Sequence, residues 1–405
     1  MGGGVRDLLA GITPKDFDIA TSAHPEEVKK LFRSCRLIGR RFVICHVRFG
    51  SEILEVTTFR GAITDSHERD ETGRVLRDND YGTLEEDAFR RDFSINALYY
   101  DIRDFSIVDY CGGLEDLKSG TLRLIGDPEL RYREDPVRML RAIRIANKMK
   151  FPLDPAAAEP ISRLAPLLTE IPAARLFDEV IKVLLCQQGA DNLYGLRVYG
   201  LFGQLFPATE AELSNQAALD FVTRALKNSA NRIAKEMPVS PAFMYAALLW
   251  PPVEARTRAL MQKQGHAEHI ALAQAAEEVI GRAIRRVAIP KRFSLPMREI
   301  WVMQSRLKLR TSARARRTLA HPRFRAAYDF LLLRAASGDA ELQELANWWT
   351  QAQKSDEYLT PSADGSEQQV ASDDASEFDP AKKPRRRRGR RGGRSRGTGS
   401  KSTPA

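Results

Sequence analysis

The sequence predicts a small α/β head, then an all-α neck and body, then a disordered basic C-terminal tail. Three observations predict this. Period-two and β-branched segments are confined to residues before about 110. From about residue 127 apolar residues recur at helical spacing and strand signals are largely absent. After about Gln353 the chain is polar and rich in charge, Gly and Pro, a composition that buries too little apolar surface to order itself. A length of 405 residues suits two or three globular units. The expected boundaries are a head at 1–126, a neck at 127–190, a body at 191–280, a basic helical region at 281–350, and an acidic spacer with an Arg-rich tail at 351–405.

The elements follow in order. Gly2-Gly3-Gly4 leads into a short helix at 5–10. Residues 16–21 alternate polar and apolar and read as a strand. Pro25 opens a helix through Phe32, with Glu26 and Glu27 in its first turn and Lys29 and Lys30 later, the order the helix dipole favours. Residues 42–49 and 52–59, joined by Gly50-Ser51, read as a hairpin. Residues 61–88 are Gly-rich and charged and read as a mobile surface loop. A helix is expected at 89–100 and a strand at 105–110, ending at Gly112-Gly113. Beyond, helices are expected at 136–149, 174–186, 194–206, 216–236, 241–249, 267–287 and 324–350.

Charge is unevenly placed. Residues 382–405 carry eleven Lys and Arg and no acid, and residues 354–381 carry one Lys and eight acids, which leaves +6 of the net +10 on residues 1–353. A basic folded part with an arginine arm favours a polyanionic partner; the bland reading of the arm is a solvated solubility tail. Residues 282–325 interleave basic residues with Phe293 and Trp301, an RNA-binding pattern or the charged face of a helical core. No apolar run reaches the roughly 18 residues of a membrane span, and no secretory leader precedes Arg6. The four cysteines form no CxxC pair, which disfavours a zinc site and favours a reduced cytoplasmic setting.

Chemistry concentrates in carboxylates. Asp16 and Asp18 stand two apart on a predicted strand, so both side chains would leave one face. Like charges so placed repel, and a divalent cation relieves the repulsion; hard oxygen donors favour Mg²⁺, with Mn²⁺ as a substitute. Glu55 alternates with Leu54 and Val56 on another predicted strand and would supply a third carboxylate. Two ions about 3.5–4 Å apart would activate an attacking hydroxyl and stabilise a leaving pyrophosphate. Asp-x-Asp alone is a weak signal. Gly2 and Gly3 before a helix strengthen it, because free N–H groups and close backbone approach suit a triphosphate.

Five segments in order carry a resemblance: Gly2-Gly3-Gly4-Val5-Arg6-Asp7, Lys15-Asp16-Phe17-Asp18, Glu55-Val56-Thr57-Thr58-Phe59-Arg60, Arg90-Arg91-Asp92-Phe93-Ser94-Ile95-Asn96-Ala97, and Glu134-Asp135-Pro136-Val137-Arg138-Met139-Leu140-Arg141. Together they resemble the nucleotidyltransferase superfamily shared by CCA-adding enzymes and bacterial poly(A) polymerases. The resemblance implies an α/β nucleotidyltransferase head in which Asp16, Asp18 and Asp92 are catalytic and Asp16, Asp18 and Glu55 hold two metal ions. It implies that Gly2, Gly3 and Arg6 contact the nucleotide, that Arg91 and Asn96 fix its ribose and triphosphate side, and that Arg138 and Arg141 meet it from the neck. Plainer roles stand beside these: Asp92 as a helix cap, Arg138 and Arg141 as partners of Glu134 and Asp135. The family also has a strand immediately before its Gly-Gly pair, where this sequence has Met1.

Three features favour the poly(A) branch. The run Leu37-Ile38-Gly39-Arg40-Arg41-Phe42-Val43-Ile44-Cys45-His46-Val47 resembles a segment of bacterial poly(A) polymerases. Ala174–Glu179 stands where a CCA-adding enzyme is expected to carry Glu-Asp-x-x-Arg. Residues 290–306 resemble the basic C-terminal region of the polymerases, with Arg292, Arg298, Arg306 and Arg310 as RNA-binding candidates. The implied function is template-independent transfer of AMP from ATP to RNA 3′ ends, with RNA-decay proteins as partners and no role for DNA. Synthesis of CCA on tRNA and a non-catalytic RNA-binding relic are the competing readings. His46 alone on an apolar strand reads as structural.

Overall fold

The structure is a computed structural model that describes residues 1–39, 42–61 and 80–355. The expected tail and most of the expected 61–88 loop lie outside these residues, as do Arg40 and Arg41. In the head, α1 (Gly3–Leu9) precedes β1 (Asp18–Thr21), α2 (Pro25–Leu31), β2 (Cys35–Ile38), β3 (Ile44–Phe49) and β4 (Glu52–Thr58). The four strands form one mixed sheet in the order β1-β4-β3-β2, with β1 parallel to β4 and the other pairs antiparallel. Gly50, at φ 60°, makes the tight β3–β4 turn that the sequence signals. One sheet face buries Cys45, Val47 and Val56 against Val28 of α2. That helix begins with a reciprocal cap, the Glu27 carboxylate accepting the His24 N–H at 2.7 Å.

Two expectations in the head are corrected. The strand at 16–21 begins only at Asp18, because Asp16 passes close over α1: a Cβ on Gly4 would come within 3.1 Å of the Asp16 carbonyl. Asp16 therefore stands just ahead of the paired strand. Residues 89–100 are not a helix. The helix starts earlier, as α3 (Leu84–Phe89), where Thr83 and Glu86 form a capping box. After it the chain turns in, with a 3₁₀ turn at Ser94–Asn96, and Leu98–Tyr100 (β5) pairs antiparallel with Ile107–Asp109 (β6). The Asp92 carboxylate accepts the Phe93 N–H at 2.9 Å, which competes with helical pairing at that point. Asp109 accepts backbone N–H groups of Gly113 and Leu114 and so holds the start of α4 (Gly113–Ser119).

The neck begins with α5 (Pro128–Glu134) and α6 (Val137–Met149). Beyond it the described elements are helices, apart from a single parallel bridge between Leu153 and Leu122. The expected helix at 194–206 is two, broken at Gly200 with φ 70°, and that at 324–350 is two, broken at Gly338 with φ 94° and recapped by Asp339. An additional helix, Trp250–Gln264, tolerates Pro251 and Pro252 because first-turn N–H groups have no helical partner to lose. No described helix is long and apolar enough to cross a membrane.

Trp301 settles one open reading. It is 0 % exposed and donates its indole N–H to the Ala246 carbonyl at 3.0 Å. Phe293 stacks on Phe177 with centroids 5.7 Å apart. Both rings are taken up by the helical core. Trp301→Ala should therefore cost about 4 kcal/mol by cavity formation. Urea unfolding checks this, and a loss below about 1 kcal/mol would contradict the packing.

Candidate active site

The second face of the head sheet is covered at its β1 end, where Ala20 packs against Ala88, Ala97, Tyr99 and Ile125, and is exposed at Glu55, Ile53, Arg36, Ile38 and Arg48. Register places Asp18, Glu55, His46 and Arg36 directly opposite one another across the four strands, so they form one row on that face. Glu55 is 49 % exposed, and its Oε1 lies 3.3 Å from His46 Nε2. Asp16 and Asp18 make no side-chain hydrogen bond or ion pair among the described residues, so the fold leaves their oxygens to solvent or ligand. The donors suit a hard divalent cation in kind. They line a surface without enclosing it: among the described residues no three His, Cys, Asp or Glu side chains are gathered into a metal cage.

Behind this row α1 anchors a polar chain. Gly2, at φ 66°, donates its N–H to Leu98 at 2.8 Å, and a Cβ there would stand 2.8 Å from the Arg91 guanidinium. Only glycine fits that turn. Gly3 lies beside the Arg6 guanidinium, 3.6 Å from where its own Cβ would be. Arg6 is buried and bonds to the carboxylate of Asp7 and the side-chain oxygen of Asn96. Asp7 also accepts from Lys148 of α6 at 2.6 Å, which ties head to neck. Asn96 in turn donates to Asp92 at 3.1 Å. Asp92 thus neither heads a helix nor stands free. It orients Asn96 and faces Arg141 at 3.7 Å.

Arg91 is enclosed. It donates to Asp87 at 3.0 Å, to the Tyr99 hydroxyl at 2.8 Å and to the Asn96 carbonyl at 3.2 Å. Burial alone would raise the Asp87 pKa, but Arg91, the Tyr99 hydroxyl and Arg60 overcome it and hold the carboxyl below its ordinary value. Burial pushes the Tyr99 hydroxyl up.

In the neck, Arg138 is buried against Glu134, at 3.0 Å, and the Arg131 carbonyl, while Asp135 pairs with Arg175 at 2.7 Å. Arg141 reaches Glu179 at 3.4 Å as well as Asp92. Three apart on α6, Arg138 and Arg141 are neighbours on the helix surface and both act on Asp135, while each also has an acid of its own. The Glu-Asp-x-x-Arg spacing looked for at 174–179 stands at Glu134–Arg138 instead, so its absence from the later segment does not separate the two branches. Arg144 was missed. One turn beyond Arg141 on α6, it keeps a buried Nε without a hydrogen-bond partner beside Glu179, whose Oε2 is likewise unmet. Burial lowers its pKa, partly offset by Glu179. The signal was available as arginine at every third position, Arg138, Arg141 and Arg144.

In the body, Arg298 and Arg310 are engaged by Glu277 and Glu344. Arg292 lies over the Phe293 ring at 4.9 Å and is exposed, and Arg306 is exposed without an ion pair among the described residues. Among the described residues the four candidates thus divide into two with ion pairs and two without.

The arrangement can be compared with known proteins. Residues 1–123 match the Poly A polymerase head domain, residues 150–213 the Probable RNA and SrmB-binding site of polymerase A, and residues 264–392 the Polymerase A arginine-rich C-terminus. The chain is 49 % identical to poly(A) polymerase I of Salmonella typhi over 365 residues, covering 88 % of this chain and 78 % of that protein. The chain belongs to the poly(A) polymerase I family. The Haemophilus influenzae member is 46 % identical over 362 residues, 87 % of this chain and 80 % of that protein. The CCA-adding enzyme of Lactobacillus helveticus is 42 % identical over 187 residues, 45 % of each chain. Among solved structures, a Bacillus stearothermophilus CCA-adding enzyme in complex with CTP aligns with TM-score 0.52 and 27 % identity over 86 % of this chain and 76 % of that one. Family membership and fold thus agree with the α/β nucleotidyltransferase head and helical body, in a family of nucleotidyltransferase enzymes.

Proposed function

We propose that this protein adds AMP from ATP to RNA 3′ ends without a template. The observation that carries the reading is identity of 49 % to a poly(A) polymerase I along nearly the whole chain, where the 42 % match to the Lactobacillus helveticus CCA-adding enzyme covers less than half of it and the CCA-adding structure that spans the chain is only 27 % identical. The site chemistry is compatible. The RNA 3′ hydroxyl attacks the α-phosphorus of ATP, a new P–O bond forms, the bond to the β-phosphate oxygen breaks, pyrophosphate leaves, and the hydroxyl proton passes to solvent.

Asp16 and Asp18, with Glu55, would hold divalent ions, Mg²⁺ or Mn²⁺, which when bound supply charge neutralisation at the reacting phosphate. The protein's own groups do the rest. Gly2 and Gly3 let the backbone approach the triphosphate. Arg91 and Asn96 hold the edge of the pocket from the head, and Asp92 acts as a positioning residue through Asn96 and Arg141. Arg141 and Arg144 present cationic surface from the neck, while Arg6 and Arg138 brace it. Arg292 and Arg306, without ion pairs among the described residues, are body cations that would meet RNA phosphates. We place the units at 1–126, 127–190, 191–280 and 281–350, and assign the reaction to cytoplasmic RNA processing and decay.

Primer extension with each NTP supplied separately tests the reading. ATP with Mg²⁺ or Mn²⁺ should give a long ladder on a generic oligoribonucleotide, and CTP, GTP and UTP should give little. Addition of a few C and A residues restricted to tRNA ends would transfer the assignment to CCA synthesis. RNA binding with no addition from any NTP would leave a binding protein.

A further inference from the structure

The catalytic row continues past its carboxylates. Beyond Glu55 and His46, on the same face, stands Arg36, and Arg48 lies opposite Ile53 on that face. Both arginines are exposed, and neither has an ion pair or side-chain hydrogen bond among the described residues. This differs from Arg6, Arg91, Arg138 and Arg141 of the candidate nucleotide site, which are all engaged by acids or carbonyls. The surrounding face carries Ile38 and Ile53, 46 % and 52 % exposed. The face opposite is covered by α2. An open strip therefore runs from Asp18 across the sheet, acidic at one end, with two unmatched cations and exposed aliphatic surface at the other.

We propose that this strip is the path of the RNA strand behind its reacting 3′ end, with Arg36 and Arg48 holding backbone phosphates. The inference rests on the functional reading above. A polyanion brought to a cluster of carboxylates is repelled unless nearby cations compensate, and unpaired arginines make the strongest phosphate contacts. Three strand spacings of about 4.8 Å put Arg36 roughly 14 Å from Asp18. At the stacked spacing of about 3.4 Å per phosphate, that is about four nucleotides behind the end. A contact to backbone phosphate carries no base information, so it would be indifferent to sequence, as a polymerase acting on many ends requires.

The test is binding of a six-nucleotide oligoribonucleotide to the full chain at several salt concentrations. Arg36→Gln with Arg48→Gln should weaken binding roughly five- to tenfold and make the log–log salt slope shallower by about 1.4, the value for two single-strand phosphate contacts. Lys29→Gln with Lys30→Gln removes the same charge from the covered side and should leave the slope unchanged. In extension assays the arginine pair should raise KM for RNA and leave KM for ATP alone. Unchanged affinity and slope would overturn the proposal, as would an equal loss in the lysine pair or a change confined to KM for ATP. Extension by the unaltered chain is scored in parallel. If it fails, the functional reading falls while the binding comparison still decides the strip.

Discussion

Asp18→Ala is expected to lower ATP-dependent primer extension by roughly 10³-fold, because stabilisation of the reacting phosphate worth several kcal/mol would be withdrawn and each 1.4 kcal/mol is a factor of ten. Asp16→Ala should do the same. Neither carboxylate carries a side-chain hydrogen bond or ion pair among the described residues, so thermal stability should stay within about 0.5 kcal/mol of the parent. RNA affinity should hold or tighten, since a negative charge leaves a surface that meets a polyanion. Rate, melting and RNA binding measured on one preparation separate the cases. Normal extension by either variant would remove the metal assignment, and a large melting shift would show a structural role instead.

Asp87→Asn is expected to destabilise the head by about 3 kcal/mol at neutral pH, since it strips a buried arginine of its charge partner. Asp87 accepts from Arg91, Tyr99 and the Arg60 backbone, and Arg91 stands against the Gly2 turn. The Asp87 carboxyl is held below its ordinary value, with burial opposing and Arg91, Tyr99 and Arg60 prevailing. A group depressed on folding stabilises above its unfolded value near 3.9, and that contribution is lost as pH falls through the folded value. The parent and variant should therefore differ most at neutral pH and converge below about pH 4. Urea midpoints across pH would reveal this. A gap that stayed constant into acid would show that Asp87 acts through packing and not through charge.

Much of the site was legible in the chain because its signals are local. Gly2 before a helix, Asp18 and Glu55 on alternating strands, and the β3–β4 hairpin depend on neighbours a few residues away, where turn chemistry and period decide. The helix expected at 89–100 failed for the opposite reason. Asp92, Asn96 and Tyr99 satisfy one another and distant partners, and tertiary hydrogen bonds outweighed local propensity there. Arg144 went unremarked because nothing local distinguishes it from Arg141; a buried Nε without a partner is a property of surroundings. Trp301 and Phe293 could be read as ring platforms or as core until the helices that cover them were placed.

By itself the sequence determined the α/β-then-helical order, the carboxylates that can meet a cation, and the family those motifs resemble. Only the tertiary structure decided which charges are spent and which are free. Arg138, Arg298 and Arg310 are neutralised by acids, whereas Arg36, Arg48 and Arg306 have no acid partner among the described residues. The reason is that periodicity fixes a side chain's face within one element, whereas its partner comes from another element, across a separation that local pattern does not encode.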